Sequence, residues 1–134
     1  MLEVEVFGAG LAPDCPPAPE VQRICELTAA RLDVEAGHLA IEFVDRARIA
    51  ELNARHRGLE GPTDVLSFPI DGLEPMPDGS APRELGDVVI CPAETADMRE
   101  AIVHGVLHLL GMDHEHDGGE MLALQQNIVE GLNE

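Results

Sequence analysis

A chain of 134 residues fits one domain, 1–134, with a single core of ordinary size. It carries 26 acidic residues against eight arginines and no lysine, a formal net charge of −18, which argues against loose, non-specific binding to nucleic acid because phosphate contacts need lysine or arginine. No apolar run approaches a membrane span and the N-terminus has no basic-then-apolar leader pattern, so the expectation is a soluble, cytoplasmic protein without a membrane partner.

The opening Leu2-Glu3-Val4-Glu5-Val6 alternates with period two and predicts a half-buried strand. A loop rich in glycine and proline runs to about Pro19. From Glu20 to Glu35, Val21, Ile24, Cys25, Leu27, Thr28 and Leu32 recur at helical spacing, and Gly37 is read as ending that helix. Leu39 to Val44 reads as a second strand. Asp45 then caps a short helix from Arg46 to about Arg55, with Ile49 and Leu52 inward. After a turn over Gly58 to Pro62, Val65 to Phe68 is a strand stopped by Pro69, and residues 69–83, with four prolines, form a loop. Gly86 to Cys91 is the last strand. Pro92 to Thr95 opens a helix leading into the one that bears His104 and His108, and Gly118 or Gly119 precedes a final helix with Met121, Leu124 (or Leu122), Ile128 and Leu132 as its apolar stripe. The order β-α-β-α-β-β-α-α implies an α+β fold, a small mixed sheet of about four strands in one layer with helices packed on it. Aromatic residues are only 2% of the chain, so aliphatic side chains must build the core. Cys15, Cys25 and Cys91 are odd in number and lack the spacing of a metal or disulfide framework, which suits a reducing compartment.

The stretch that carries chemistry is His104-Gly105-Val106-Leu107-His108-Leu109-Leu110-Gly111-Met112-Asp113-His114. At 3.6 residues per turn His104 and His108 share a helix face. Gly111 can end the helix in a left-handed conformation and return the chain, bringing His114 beside the pair. Ile102, Val103, Val106, Leu107, Leu109 and Leu110 imply a helix buried on most of its surface, and buried imidazoles need partners. Three histidines with no obvious fourth ligand form the set of a catalytic zinc site, here at a helix C-terminal end, with a position open to water. Such a site turns bound water into hydroxide near neutral pH and polarises a phosphoryl oxygen. Nickel and copper also accept imidazole ligands. His116, between Glu115 and Asp117, is read as solvated. The position after the first histidine, a glutamate in H-E-x-x-H proteases, is Gly105, which argues against a peptidase mechanism.

His104 to His114 resembles the H-G-x-L-H-L-x-G-x-D-H signature of the YbeY family of metal-dependent endoribonucleases. Leu52-Asn53-Ala54-Arg55-His56-Arg57-Gly58, Pro62-Thr63-Asp64-Val65-Leu66-Ser67-Phe68-Pro69 and Gly86-Asp87-Val88-Val89-Ile90-Cys91 match further blocks in the same order, so the likeness extends over most of the chain from residue 39. The chain departs from the family in a shorter segment between Cys91 and His104 and in Met112, where an aromatic is common. The resemblance implies a single-domain hydrolase with one zinc on His104, His108 and His114. It also implies cleavage of single-stranded ribosomal RNA, notably at the 3′ end of the small-subunit (16S) species, and a part in ribosome quality control. The small ribosomal subunit and ribosomal proteins are the implied partners, and DNA is not expected to be one. The family's functional arginine falls on Arg57, in the Asn-x-x-x-Arg position that Arg55 does not match. A guanidinium there can hold two phosphate oxygens and stabilise charge in the transition state. Two other readings stand beside this one: a ribosome-assembly binding factor with a structural metal, and a different three-histidine metallohydrolase.

Overall fold

In the computed structural model, which describes residues 2–13, 15–70, 84–113 and 117–132, the period-two stretch at the N-terminus forms strand β1 (Leu2–Phe7). Helix α1 (Ala18–Ala30), strand β2 (Gly37–Phe43), helix α2 (Arg46–Arg57) and strands β3 (Val65–Pro69) and β4 (Glu84–Ile90) follow. A single 3-10 turn (Pro92–Glu94) then leads to helices α3 (Met98–Leu109) and α4 (Glu120–Leu132). The four strands make one sheet in the order β1-β2-β4-β3. β1, β2 and β4 are parallel and β3 is antiparallel to β4, so the sheet is mixed and the fold is α+β, as expected.

Successive residues of the central strands point to opposite faces and feed two cores. Leu39, Ile41, Phe43, Val88 and Ile90 pack with Ile24 of α1, Ile102, Val106 and Leu109 of α3, and Met121 and Ile128 of α4. Val89 and Cys91, with Leu66, meet Ile49 and Leu52 of α2, and Phe68 packs against that smaller cluster. Helix α2 therefore covers the face that the other three helices leave. Each fully buried Ile or Leu contributes about 1.5–3 kcal/mol, so the larger cluster anchors α3, the helix that carries the histidines. No helix among the described residues is long and apolar enough to cross a membrane.

Several boundaries differ from expectation, each for a local reason. Helix α1 stops at Ala30, not Glu35, because the chain turns off through Asp33 in the left-handed region (φ 61°), with Val34 N–H bonded to Ala29 O at 3.0 Å. Gly37 does not end the helix; it begins β2. Helix α2 runs to Arg57, two residues beyond the expected end, and its expected cap holds: the Asp45 carboxylate accepts from Arg48 N–H. Pro92 to Thr95 does not lead continuously into α3. Thr95 and Asp97 are extended, and α3 begins afresh with the Asp97 carboxylate accepting from the N–H groups of Arg99 (3.0 Å) and Glu100 (3.2 Å). Of the stripe on α4, Met121, Ile128 and Leu132 are buried, Leu124 is half-buried and Leu122 is exposed. Most of the 69–83 loop, from residue 71 on, lies outside the described residues.

Away from the histidine helix, His38 of β2 ties the three parallel strands together. Its Nδ1 meets the Glu84 carboxylate of β4 at 2.8 Å and its Nε2 meets Glu5 of β1 at 3.0 Å. Hydrogen bonding to Glu84, then to Glu5, raises the imidazole's pKa above its ordinary value. A group whose folded pKa lies above its unfolded value stabilises the fold fully below the unfolded pKa, about 6.5, and loses that contribution as pH rises through the folded pKa. Folding stability from denaturant titrations is thus expected to fall with rising pH across this window, and His38→Gln to flatten the fall. An identical slope in the variant would remove His38 as its source.

Candidate metal centre and cleft

Helix α3 places His104 and His108 one turn apart, their rings 4.7 Å between centroids and inclined at 76°. Both are half-buried, while every other residue from Ala101 to Leu110 is buried, so these two side chains are the polar seam of an otherwise apolar stretch. The helix closes in a Schellman motif. Gly111 is left-handed (φ 97°), its N–H bonds His108 O at 3.0 Å, and Met112 N–H reaches back to Leu107 O at 3.1 Å. The return brings Asp113 to the cleft that His104 and His108 line. His114, the third expected ligand, lies outside the described residues, as does His116. Two of the three expected ligands are therefore brought together among the described residues.

Gln125 is a member of this site that sequence reasoning missed. It sits on the buried stripe of α4 and its Oε1 accepts the Nδ1–H of His104 at 2.7 Å. A proton held on Nδ1 puts the lone pair on Nε2, the form a metal requires. The donor chemistry thus fits a metal: two imidazoles on one helix face, one with its tautomer set from behind. The readable signal was a single amide at helical spacing among Met121, Ile128 and Leu132, since a buried amide needs a partner.

Gly105 has a packing reason. A Cβ built there would lie 2.4 Å from Val88 Cγ1, 3.0 Å from Val88 Cγ2 and 3.3 Å from Ser67 Oγ. Ser67 Oγ also donates to Gly105 O at 3.1 Å, fastening α3 to β3. A glutamate after the first histidine has no room in this helix–sheet contact. Gly105→Ala is expected to be destabilising by about 1–2 kcal/mol, because overpacking of about 1–3 kcal/mol against a stiff valine outweighs the roughly 0.5–1 kcal/mol gained in helix propensity. A denaturation midpoint at or above that of the parent would show that Val88 yields.

The histidines line a cleft of about 1230 Å³ that also takes in His56 and Arg57 from the end of α2 and Ser67 and Phe68 from β3. Arg57 follows from the local architecture. Left-handed Gly58 (φ 67°) ends α2 directly after it, and the buried Asn53 amide donates to Gly61 O at 3.0 Å, fixing the turn beyond. Arg57 is exposed and makes no ion pair with a described residue. Arg55 instead pairs with Glu51 at 3.6 Å.

Arg57 is the only arginine among the described residues lining the cleft, against Asp64, Glu94, Asp97, Glu100 and Asp113. Three of these acids have structural duties: Asp64 accepts from Val65 N–H at 2.8 Å, Glu94 pairs with Arg46 at 2.7 Å, and Asp97 caps α3. None of the three cysteines is in a disulfide or on the cleft, and burial pushes the Cys25 thiol far up, away from reactivity.

Residues 18–133 match the family model described as Endoribonuclease YbeY. The Endoribonuclease YbeY of Rhodococcus erythropolis is 41% identical over 131 residues, spanning 84% of this chain and 73% of that protein. That of Mycolicibacterium smegmatis is 40% identical over 132 residues, spanning 84% and 74%. Among solved structures, the solution structure of a Thermotoga maritima protein is similar with a TM-score of 0.60 at 25% identity, over 95% of this chain and 87% of that one.

Proposed function

The chain belongs to the YbeY endoribonuclease family, and from that premise we propose that it is a metal-dependent endoribonuclease cutting single-stranded ribosomal RNA. One observation carries the reading: an imidazole pair one helical turn apart, with Gln125 holding His104 in the ligating tautomer, in the same cleft as an exposed arginine. A guanidinium in that cleft suits a phosphodiester, two of whose oxygens it can hold at once.

His104 and His108 would hold one zinc per chain, with His114 as the third ligand. The metal when bound supplies an activated water and a Lewis acid for a phosphoryl oxygen. The protein's own residues do the rest. Gln125 keeps the His104 proton on Nδ1, the α3 terminus at Gly111 returns the chain toward the cleft, and Arg57 orients the phosphate and stabilises charge on its oxygens. The proposed place of action is cytoplasmic maturation and quality control of the small ribosomal subunit, with the 3′ end of 16S RNA as the cut to test.

The five carboxylates on the described lining of the cleft favour one competing reading, a ribosome-assembly factor whose metal only braces the fold. Purified protein incubated with single-stranded and duplex RNA, before and after chelation and after zinc is restored, separates the two. The proposal expects cleavage of the single strand, loss on chelation and recovery with zinc. If the protein binds about one zinc, loses thermal stability on chelation and never cuts RNA, the assembly reading stands instead.

A further inference from the structure

Rings are scarce in this chain: three phenylalanines, no tyrosine and no tryptophan. Phe43 is buried in the core and Phe7 lies at the end of the edge strand β1. Phe68 alone of the three lines the cleft, and His56 meets it there with ring centroids 4.8 Å apart at 67°. Phe68 is half-buried and anchored on the α2-side core, while His56 is exposed at the last turn of α2. His56 has no hydrogen bond or ion pair with a described residue, so the Phe68 ring is what holds it. An edge-on pair leaves both faces of one ring unstacked by the other, and the exposed partner is next in sequence to Arg57.

The charge of the cleft makes this pair consequential. With one arginine among five acids on its described lining, phosphate attraction alone gives little affinity. Stacking on a π face is indifferent to that charge, and every nucleobase offers such a face once it is unpaired. We propose that His56, backed by Phe68, is a stacking platform for one unpaired nucleobase of a single-stranded RNA, adjoining the phosphate held by Arg57. This rests on the proposed ribonuclease function and adds to it a reason for single-strand preference: a base within a duplex cannot be laid on the ring.

The test reads binding apart from cleavage. A fluorescent 2′-O-methyl oligonucleotide, checked on a denaturing gel to be intact after each titration, is titrated with the parent protein, His56→Ala and His56→Phe, and a second series carries one abasic position moved along the strand. The parent is expected to bind, and His56→Ala to bind about 5- to 150-fold more weakly, the range for one stacked base. His56→Phe should bind within about twofold of the parent, with one abasic position reproducing the alanine loss. Because His56 is exposed, all three proteins should melt alike. The proposal is overturned if His56→Ala binds like the parent, if His56→Phe is as weak as the alanine variant, or if the parent binds no single strand at all. A protein that cuts RNA yet shows no dependence on ring 56 loses the platform and keeps the nuclease reading. One that binds with this pattern yet never cuts loses the nuclease reading and keeps the platform.

Discussion

His104→Ala is expected to abolish stable zinc binding and to cut RNA cleavage at least about 10³-fold while leaving the fold in place. A metal's Lewis-acid contribution is worth several kcal/mol, and each 1.36 kcal/mol is tenfold in rate. The helix tolerates the change, since alanine is the better helix former and the larger cluster anchors α3 on both sides of this turn. The cost to stability comes from elsewhere: Gln125 Oε1, buried and deprived of the imidazole N–H at 2.7 Å, is left unsatisfied at about 1–3 kcal/mol. His108→Ala should lose metal and activity just as fully without that added penalty, because the Gln125 bond belongs to His104. Gln125→Leu sets the milder limit. It keeps all three proposed ligands and is expected to weaken metal affinity about 10- to 100-fold, the usual effect of losing an orienting partner. Competition with a chelator measures affinity and a melt in chelator measures stability. A His104→Ala protein that retains one zinc and full cleavage would end the metal reading.

Much of this architecture was legible because local and global signals agree. Period-two alternation gave β1, the Asp45 cap gave the start of α2, and the apolar residues around the histidines gave a buried α3 whose end at Gly111 adopts the anticipated left-handed turn (φ 97°). Two of the misplaced boundaries are those where a weaker residue took over a role usually given to glycine or proline. Asp33 turns α1 off ahead of Gly37. Asp97 restarts the helix that Pro92 seemed to open, although Asp97 followed by Glu100 has the spacing of a capping pair. Within the site, spacing along one helix places His104 beside His108, but nothing along the chain says that a residue of α4 reaches them, so Gln125 stayed hidden in an apolar stripe. Gly105 was read from its chemistry, as a missing base. Its physical cause is the approach of α3 to Val88 and Ser67, a tertiary fact. The acid-rich cleft was foreshadowed only as net charge, and the fold decides which carboxylates cap, which pair and which line the cleft.

Arg57→Ala is expected to lower kcat about 10²–10³-fold, the usual loss when one donor to developing charge is removed, with zinc content and melting temperature unchanged. Both invariances follow from its place: Arg57 is exposed, ends α2 against Gly58, and makes no ion pair with a described residue whose loss would leave a charge stranded. Arg57→Lys keeps a positive charge but not the planar fork that grips two oxygens, and should recover only part of the rate. The salt dependence gives a second reading. Each phosphate contact on a single strand contributes about 0.7 to the slope of log affinity against log salt, and Arg57 is the only arginine on the described lining of the cleft. Its removal is expected to take about that amount from an already shallow slope, whereas His56→Ala should weaken binding and leave the slope alone. The two neighbours on one helical turn are thereby separable. One sets the rate and the salt term through phosphate, the other the salt-independent affinity through a base. An Arg57→Ala enzyme with parental kcat and an unchanged slope would remove the arginine from both roles.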